Sequence, residues 1–398
     1  MASSNTLLTP TIIAKEALMM LTNSMAMSRN VHTAYKNEFV KVGSTITVRK
    51  PNKFRATKAQ ARSNSDLSEP STSIVMSTQA HVSWAFSSVE LTTTIEDYSK
   101  RYIAPAAAAL ANTVDYDLCG LYVDVANSTG SPGTTPSTFA ALGGCQEILD
   151  DESAPDDRRV AIVNPAAHWA LADGLKGTFA PSVAKDIITK GYLGTIANLS
   201  IYMDQNVHRH TTGAFEDDII LNDASIASGD ATLITSGWGG SSGVKKGDVF
   251  TVADCFACNS MSGASTGKLR KFVVTADVDD TGAALTLPLA PAFVYGSTNA
   301  YSNVTALPVD TKAVTFTGTA STAYPQNLVF HPNAFALVTV PIEIPANVWG
   351  ARETDPEAGL SIRVVKQYDI GADEEIIRLD ILYGVKTLYP ELAVRLWG

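Results

Sequence analysis

Hydrophobic residues recur with the period of an α-helix over one long stretch, residues 105–127, with the sequence PAAAALANTVDYDLCGLYVDVAN. Proline suits the first turn of a helix, because its missing N–H would have no partner there. On a helical wheel one apolar stripe forms the predicted core face of this helix: Leu110, Val114, Leu118, Leu121 and Val125. Tyr116, Cys119 and Val123 form a second apolar patch on the far side. We therefore predict a helix that is covered on most sides and acts as a spine for neighbouring sheets.

The residues before this helix predict an N-terminal helix and a long β-arm. Apolar residues have helical spacing over residues 10–27, and β-forming residues dominate residues 39–48 and 74–86. The polar stretch between the two strands is about 25 residues long, so we interpret this region as a two-stranded arm with a mobile tip. The tip carries six cations: Arg49, Lys50, Lys53, Arg55, Lys58 and Arg62. A contact with an acidic neighbour is one interpretation of these charges, and a solvated charge run is the other.

The part of the chain after the long helix begins with alternating helical and strand periods. Helices are predicted at residues 139–149, 165–175 and 181–190. Strands are predicted at residues 159–163 and within residues 194–204. This alternation is typical of an α/β or α+β domain.

Residues 223–324 have no helical period and consist of short strand-like runs separated by glycine-rich turns. Such runs are typical of a small closed β-barrel. Because the pattern on both sides is different, we interpret the barrel as an insertion. Further strands are predicted at residues 327–340, 360–369, 375–385 and 391–397.

The composition narrows the classes of function. Only 18 % of the 398 residues are charged, whereas about 25 % is usual for a soluble monomer. A chain with so few charges often covers much of its surface in subunit contacts. The net charge of −10 argues against a dedicated nucleic-acid binder, which needs a basic surface. We expect no secretory signal and no membrane-spanning helix, and the four scattered cysteines favour a reducing compartment.

Three local patterns are candidates for chemistry. Residues 239–243 match the G-x-S-x-G pattern of serine hydrolases around Ser241, but a glycine-rich loop stands where that motif needs a strand. Cys255 and Cys258 form a lone C-x-x-C pair, which with His208 and His210 leaves a metal site as an alternative. We predict that the protein is not an enzyme, with no catalytic residue, cofactor or bound metal.

A cluster of five acidic residues precedes the predicted strand at residues 159–163: Asp150, Asp151, Glu152, Asp156 and Asp157. Carboxylates at this density can bind a divalent cation. A solvated turn that leads into a buried strand explains them as well. The cluster is also an acidic surface that could be the partner of the basic arm on another copy of the chain.

Four stretches, in this order along the chain, carry a resemblance to a known family. They are ILDDESAPDDRRVAIVN from Ile148, GTIANLSIYMDQNVHRHTTG from Gly194, LVFHPNAFALVTVPIEIP from Leu328 and IIRLDILYGVKTLYPELAVRL from Ile376. Together with the N-terminal helix, the arm and the long helix, they resemble the major capsid proteins of tailed double-stranded DNA bacteriophages, which have the HK97-like fold. The β-rich insertion is similar to the one in coat proteins of short-tailed phages.

The resemblance implies an α+β fold with five parts. They are an N-terminal helical arm at residues 1–35, an extended β-loop at 36–88, a peripheral domain with the spine helix at 89–130 and 341–385, an axial domain at 131–222, 326–340 and 386–398, and an inserted β-barrel at 223–325.

The resemblance also implies a function. The chain would assemble with itself, through pentamers and hexamers, into an icosahedral shell around packaged double-stranded DNA. Scaffolding and portal proteins would be its partners, and assembly would take place in the cytoplasm of the host bacterium, without a membrane. The alternative is a β-rich surface-binding protein, an adhesin or carbohydrate-binding module, with the insertion as its binding domain.

Overall fold

The computed structural model describes residues 10–33, 45–55, 70–87, 102–175, 193–240, 242–259, 261–280, 284–296, 299–355 and 360–398. These residues form four α-helices: α1 (Pro10–Ser24), α2 (Ala104–Cys119), α3 (Phe139–Asp151) and α4 (Pro165–Leu175). The predicted helix at residues 181–190 and most of the predicted arm tip lie outside them. Among the described helices, none is both long and apolar enough to cross a membrane.

The same residues form twenty-three β-strands, so the prediction of an α+β fold is confirmed. In chain order the strands are β1 (Thr45–Arg49), β2 (Ser71–Val75), β3 (Thr78–Ser87), β4 (Ser128–Thr129), β5 (Arg159–Val163), β6 (Thr195–Ile196), β7 (Leu199–Met203), β8 (Arg209–Thr211), β9 (Ile220–Leu221), β10 (Thr232–Ser236), β11 (Gly243–Val244), β12 (Val249–Cys258), β13 (Ser265–Val274), β14 (Val278–Asp279), β15 (Leu285–Ala290), β16 (Val314–Phe316), β17 (Ala323–Pro325), β18 (Asn327–Phe330), β19 (Phe335–Thr339), β20 (Trp349–Asp355), β21 (Leu360–Asp369), β22 (Glu374–Thr387) and β23 (Ala393–Leu396).

The chain divides into two compact units. Unit 1 consists of Met1–Val48, Ser71–Leu118 and Phe335–Lys386. Unit 2 consists of Arg49–Pro70, Cys119–Ala334 and Thr387–Gly398. The described residues 49–55 of the predicted arm therefore belong to unit 2, together with the described residues of the predicted insertion.

Unit 1 is built on a five-stranded sheet in the order β19-β22-β21-β20, with β3 also paired to β22. The antiparallel pair of β3 and β22 runs from Ser87 opposite Glu374 to Thr78 opposite Tyr383. Helix α1 packs on β20 and β21 with its apolar side, so Ala14, Ala17 and Leu21 have no exposed surface.

The predicted second strand of the arm, residues 74–86, is two strands in the structure. Its first part belongs to β2, which pairs with β1, and its second part belongs to β3, which pairs with β22 instead. The prediction of one continuous strand was wrong, because β22 offers ten backbone partners to β3. Sequence pattern alone does not reveal a partner almost 300 residues away.

Helix α2 has a buried stripe in unit 1 that contains Leu110, Val114 and Leu118. Asp115, which is 2 % exposed, accepts hydrogen bonds from the backbone N–H groups of Ala26 at 2.6 Å and Ser28 at 2.9 Å, and from the Ser28 hydroxyl at 2.5 Å. This carboxylate ties the residues that follow α1 to α2.

The α-helical geometry stops earlier than the sequence predicts. Helix α2 ends at Cys119, and Gly120–Asp124 continue as a 3₁₀ helix. Glycine is a weak helix former, and the tighter 3₁₀ turn changes the angular position of each later side chain. Leu121 is consequently only half-buried, although Val125 beyond the turn is fully buried. In the second patch Cys119 is buried as predicted, whereas Tyr116 is 51 % exposed.

Unit 2 contains a six-stranded sheet in the order β4-β23-β18-β5-β7-β6 with α3 and α4 packed against it. All five residues of the central strand β5 are buried, as the run RVAIV predicts. The residue before each of these helices caps its N-terminus. Thr138 Oγ1 accepts from the N–H of Ala141 in α3 at 3.2 Å, and Asn164 Oδ1 accepts from the N–H of Ala167 in α4 at 2.9 Å.

A second six-stranded sheet of unit 2 runs in the order β16-β12-β13-β15-β10-β9. Its two outer strands are bridged, because Ile220 pairs with Ala313 and the N–H of Val314 donates to the oxygen of Ile219 at 2.9 Å. Its core is rich in aromatic residues, with Phe250, Phe272 and Phe293 fully buried. The described residues between 223 and 324 contain no helix. Strands β8 and β17 pair where the chain enters and leaves this region.

Candidate assembly site

The basic arm has four of its predicted cations within the described residues, and contacts with the same chain are seen for Lys50, Lys53 and Arg55. The N–H of Lys50 donates to the oxygen of Pro70 at 2.8 Å, and its Nζ lies 4.9 Å from the centre of the Tyr389 ring. The N–H of Lys53 donates to the hydroxyl of Tyr301 at 3.2 Å. Lys58 and Arg62 lie outside the described residues. The predicted contact of the arm with another copy therefore stays a prediction.

The acidic loop is organised by Arg159, the first residue of β5, whose side chain is 2 % exposed. Its Nη2 donates to Asp150 Oδ1 at 2.7 Å and to the oxygen of Ala154 at 2.7 Å, and its Nε donates to the oxygen of Pro155 at 2.8 Å. Gln146 Oε1 accepts from Nη1. Sequence reasoning did not single out this arginine. The signal was a cation placed directly between an acidic loop and a fully apolar run.

The other acidic residues of this region link α3 to strand β13 of the second sheet. Lys268 Nζ lies 2.6 Å from Glu147 Oε1 and 3.9 Å from Asp151 Oδ2. Arg270 forms an ion pair with Glu152 in which both side chains are nearly buried. Three acidic residues at the end of α3 thus meet two cations of β13 within unit 2.

The cluster is partly the solvated turn that the sequence indicates, since Asp150, Asp156 and Asp157 are exposed, but its members also form ion pairs. Asp150 pairs with Arg159 of β5, whereas Asp151 and Glu152 pair with Lys268 and Arg270 of the insertion. Asp157 also has charged or polar partners, with His331 Nε2 at 3.4 Å and Arg158 Nε at 3.7 Å. The divalent-cation alternative receives no support: within the described ranges, no group of three or more His, Cys, Asp or Glu residues is arranged to hold a metal ion.

A cavity of about 250 Å³ lies beside these ion pairs and is lined by residues of α3, β4, β12 and β13. Lys271 reaches into its wall and donates from Nζ to the backbone oxygen of Ser128 at 2.7 Å and to its hydroxyl at 2.9 Å. Burial, with a smaller contribution from the charge of Lys268, lowers the pKa of Lys271 to about 8. The cations that line the cavity are matched by Glu147, Asp151 and Glu152, so the charges offer no net attraction to an ion.

A buried polar cluster surrounds Asp248 elsewhere in unit 2. Asp248 Oδ1 lies 2.8 Å from His210 Nε2, and Tyr122 OH lies 3.1 Å from His210 Nδ1. Because a carboxylate only accepts, His210 carries a hydrogen on Nε2. Arg395 is buried beside them, with its Cζ 5.2 Å from the centre of the Tyr122 ring, and burial lowers its pKa to about 10. No spacing in the sequence indicates that these four residues meet.

The described residues of the candidate catalytic patterns take part in structural contacts. Cys258 donates from Sγ to the oxygen of Ser302 at 2.9 Å, and burial raises the pKa of the Cys255 thiol to about 12. A thiol with a raised pKa is a poor nucleophile and metal ligand at neutral pH. His210 faces Asp248 and Tyr122, so the Cys/His metal alternative has no support. Ser241 lies outside the described residues, and its neighbour Ser242 donates to Asp280 at 3.0 Å.

Comparison with known proteins gives one match in sequence. A sequence model of the family described as "P22 coat protein - gene protein 5" matches residues 205–398, just under half of the chain. None of the curated proteins matches. The prediction of a major capsid protein of a tailed phage is confirmed at this level, and the match spans the insertion and the closing strands on which the resemblance was based.

Several solved structures are similar in backbone. A chain from Mycobacterium phage Che8 is 14 % identical, with 93 % of this chain and 90 % of that chain covered and a TM-score of 0.49. A virus-like particle from Pyrococcus furiosus is 9 % identical, with 96 % and 97 % covered and a TM-score of 0.40. The CUS-3 coat protein I-domain is 20 % identical, with 26 % of this chain and 99 % of that chain covered and a TM-score of 0.21.

Proposed function

We propose that this coat protein forms the closed shell of a tailed phage by joining copies of itself through pentamers and hexamers, and that the shell encloses double-stranded DNA. The match of residues 205–398 to the P22 coat protein family carries this proposal. The function requires no catalytic site, and we propose that the protein is not an enzyme. Scaffolding and portal proteins are its proposed partners, the virion its location and the host cytoplasm its place of assembly.

We further propose the HK97-like division of the chain, with α2 as the spine and residues 223–325 as an inserted β-barrel. The barrel is supported by the hydrogen bonds that join the two outer strands of its six-stranded sheet. The insertion is supported by the pairing of β8 with β17, which brings its two ends together. Residues 1–35 would then be the N-terminal arm and residues 36–88 the extended loop.

Extensive self-association is supported by apolar side chains that the single chain leaves exposed. Met19, Tyr116 and Trp169 are between 51 % and 59 % exposed. They belong to three different helices, and a shell subunit must contact several neighbours at once. Single exposed apolar side chains are common on proteins, so they support self-association only together with the low charged fraction of 18 %.

We propose that the outer cations of the charged arm have a different role from the inner ones. The outer cations Lys58 and Arg62 contact an acidic surface on a neighbouring copy, for which the exposed Asp156 and Asp157 are the candidate residues. Asp151 and Glu152 are less suitable, because they are half-buried and paired with Lys268 and Arg270 of their own chain. The acidic net charge of the chain suits a container whose wall holds DNA only loosely.

Electron microscopy and analytical ultracentrifugation of the purified protein test this function. The expected result is capsomer rings or closed shells, together with a subunit pool whose size depends on protein concentration. A 42.2 kDa monomer at all concentrations that binds a glycan on an array would overturn the proposal in favour of the surface-binding alternative. The contact of the arm with a neighbour is tested by the double variant Lys58→Ser/Arg62→Ser, which should reduce particle yield. The circular dichroism spectrum of the subunit should stay unchanged.

A further inference from the structure

The base of the basic arm is in contact with the insertion of the same chain through Tyr301, a residue between β15 and β16. The Tyr301 hydroxyl accepts a hydrogen bond from the N–H of Lys53 at 3.2 Å and donates one to Asn52 Oδ1 at 3.3 Å. One phenol therefore uses both its donor and its acceptor capacity on two consecutive residues of the arm. A phenylalanine at this position can do neither.

A second contact joins Arg55 to a tight turn of the insertion at Gly263. The turn is closed by hydrogen bonds from the N–H of Gly263 to the oxygen of Asn259 and from the N–H of Asn259 to the oxygen of Ala264, both at 2.8 Å. A Cβ atom built on Gly263 would lie 2.5–2.8 Å from three atoms of the Arg55 guanidinium. The guanidinium thus lies directly on the glycine backbone, in a space that any other residue would fill.

The charge of Arg55 is also felt by a buried group of the insertion. Burial raises the pKa of the Cys258 thiol, and the positive charge of Arg55 lowers it, ahead of the charge of Arg270. Lys50 adds a third attachment, over the ring of Tyr389. Three separate contacts therefore fix residues 50–55 on the rest of unit 2, the unit to which residues 49–55 belong.

We infer that the insertion has a docking site for the arm of its own chain, formed by Tyr301 and the Gly263 turn and occupied by residues 52–55. The direction in which the arm leaves the subunit is then set by the insertion. Arg55 is used within the subunit, and only the cations beyond it are available to a neighbour. A tethered segment binds at a high effective concentration, so this docking precedes assembly. Its consequence for the shell rests on the proposed function, whereas the docking itself does not.

Two glycines of the insertion offer a matched pair of variants to test the Arg55 contact. Gly263 and Gly267 have nearly the same positive φ, +72° and +74°, but nothing lies within 4 Å of a Cβ built on Gly267. Both alanine variants suffer the same backbone strain, and only Gly263→Ala displaces Arg55. Hydrogen–deuterium exchange with mass spectrometry on the full chain, kept dilute as subunits, should show faster exchange of residues 50–55 in Gly263→Ala than in Gly267→Ala.

A second pair removes one oxygen atom and leaves the fold intact. Tyr301→Phe should accelerate exchange at the Lys53 amide about two- to tenfold, which corresponds to the net contribution of one hydrogen bond. Tyr295→Phe, at an exposed tyrosine of the same region, should leave that rate unchanged. This pair keeps the inference testable if Gly263→Ala does not fold.

The outcomes separate the docking site from the shell function. Equal exchange rates within either pair that folds would overturn the inference. Protection of residues 50–55 that disappears on dilution would overturn it too, because the arm would then dock on a second copy. Concentration-independent protection that is lost in Gly263→Ala and Tyr301→Phe supports it, whether or not the protein forms shells. Particle formation, assayed separately by microscopy, reports on the proposed function alone.

Discussion

Asp380 in unit 1 and Asp248 in unit 2 are both almost fully buried, but different groups neutralise them. Asp380 is held by charged side chains. Arg363 donates to it from Nε at 3.1 Å and from Nη2 at 2.6 Å, and Arg378 donates from Nε at 2.6 Å. Gln79 adds a further hydrogen bond at 3.1 Å. The three strands β3, β21 and β22 thus converge on one carboxylate.

Asp248 is held mainly by the backbone. The N–H groups of Lys245 and Gly213 donate to its Oδ2 at 2.7 Å and 3.0 Å, and His210 Nε2 lies 2.8 Å from Oδ1. The contact with Lys245 is only three residues away in sequence. The contacts with Gly213 and His210 span 35 and 38 residues. Asp248 thus relies mainly on backbone donors, whereas Asp380 relies on side chains of three strands, so the loss of each carboxylate should destabilise the protein by a different amount.

The largest effect is expected at Asp380. Asp380→Ala leaves Arg363 and Arg378 beside a desolvated cavity, and the free energy of unfolding should fall by about 3–5 kcal/mol. Urea denaturation followed by circular dichroism measures this. Arg378→Met is the graded control, because Arg363 still neutralises the carboxylate and the loss should be smaller. A loss below 1 kcal/mol for Asp380→Ala would show that the sheet does not depend on this carboxylate.

A smaller effect is expected at Asp248. In Asp248→Asn the amide group can offer only one oxygen, so one of the two sets of donors faces an N–H₂ group. The unfolding free energy should fall by about 1–3 kcal/mol. Tyr122→Phe removes only the hydroxyl contact to His210 and is the matched control at about 0.5–1.5 kcal/mol. Equal losses for Asp248→Asn and Asp380→Ala would erase the distinction between backbone and side-chain neutralisation.

A pH-dependent effect is expected at Lys271, a half-buried cation whose Nζ is hydrogen-bonded to Ser128. Its pKa is lowered from 10.5 to about 8, so the unfolded chain binds this proton more tightly than the folded chain does. The resulting destabilisation is complete below about pH 8 and is lost as the pH rises to about 10.5. The gain in stability of Lys271→Met over the wild type should therefore be largest at pH 7 and smallest at pH 10.5. A pH-independent difference between the two proteins would contradict the lowered pKa.

The smallest effect is expected at the exposed pair of Lys312 and Asp254, which lies 2.5 Å apart with side chains 40 % and 67 % exposed. Water and salt screen such pairs. Lys312→Met should therefore change the unfolding free energy by about 0–1 kcal/mol, and it serves as the lysine control for Lys271→Met. Thermal unfolding at low and high salt measures the change. A loss above 2 kcal/mol would mean that exposure is a poor guide to the energy of these charges.

Local signals were sufficient to predict several elements to the residue. Strand β5, helix α4 and strand β21 have the predicted bounds, because each combines an unambiguous period with a stop signal such as Asn164-Pro165 or Gly371. The division of residues 74–86 into two strands was not predictable, because only the distant β22 makes it necessary. The end of α2 at Cys119 had a signal in Gly120, which the apolar period outweighed.

The sequence was sufficient to predict where charged residues cluster, but not which residues they pair with. The acidic loop and the basic arm both stand out in the sequence. Their partners Arg270, Lys268 and Tyr301 belong to the insertion, more than a hundred residues away, and a spacing rule does not reach that far. Asp115 and Asp248 look like ordinary polar positions until the fold surrounds them.

The contact of Asp115 with Ser28 also has an entropic consequence, because it joins two distant points of the chain. It closes a loop of 87 residues that contains the whole arm. The entropy of closing a flexible loop grows only with the logarithm of its length, so ten extra residues between these two points would add about 0.1 kcal/mol. The length of the arm is therefore nearly independent of the stability of the subunit. Evolution can lengthen or shorten the arm to suit shells of different geometry while the N-terminal segment and the helix it is tied to remain joined.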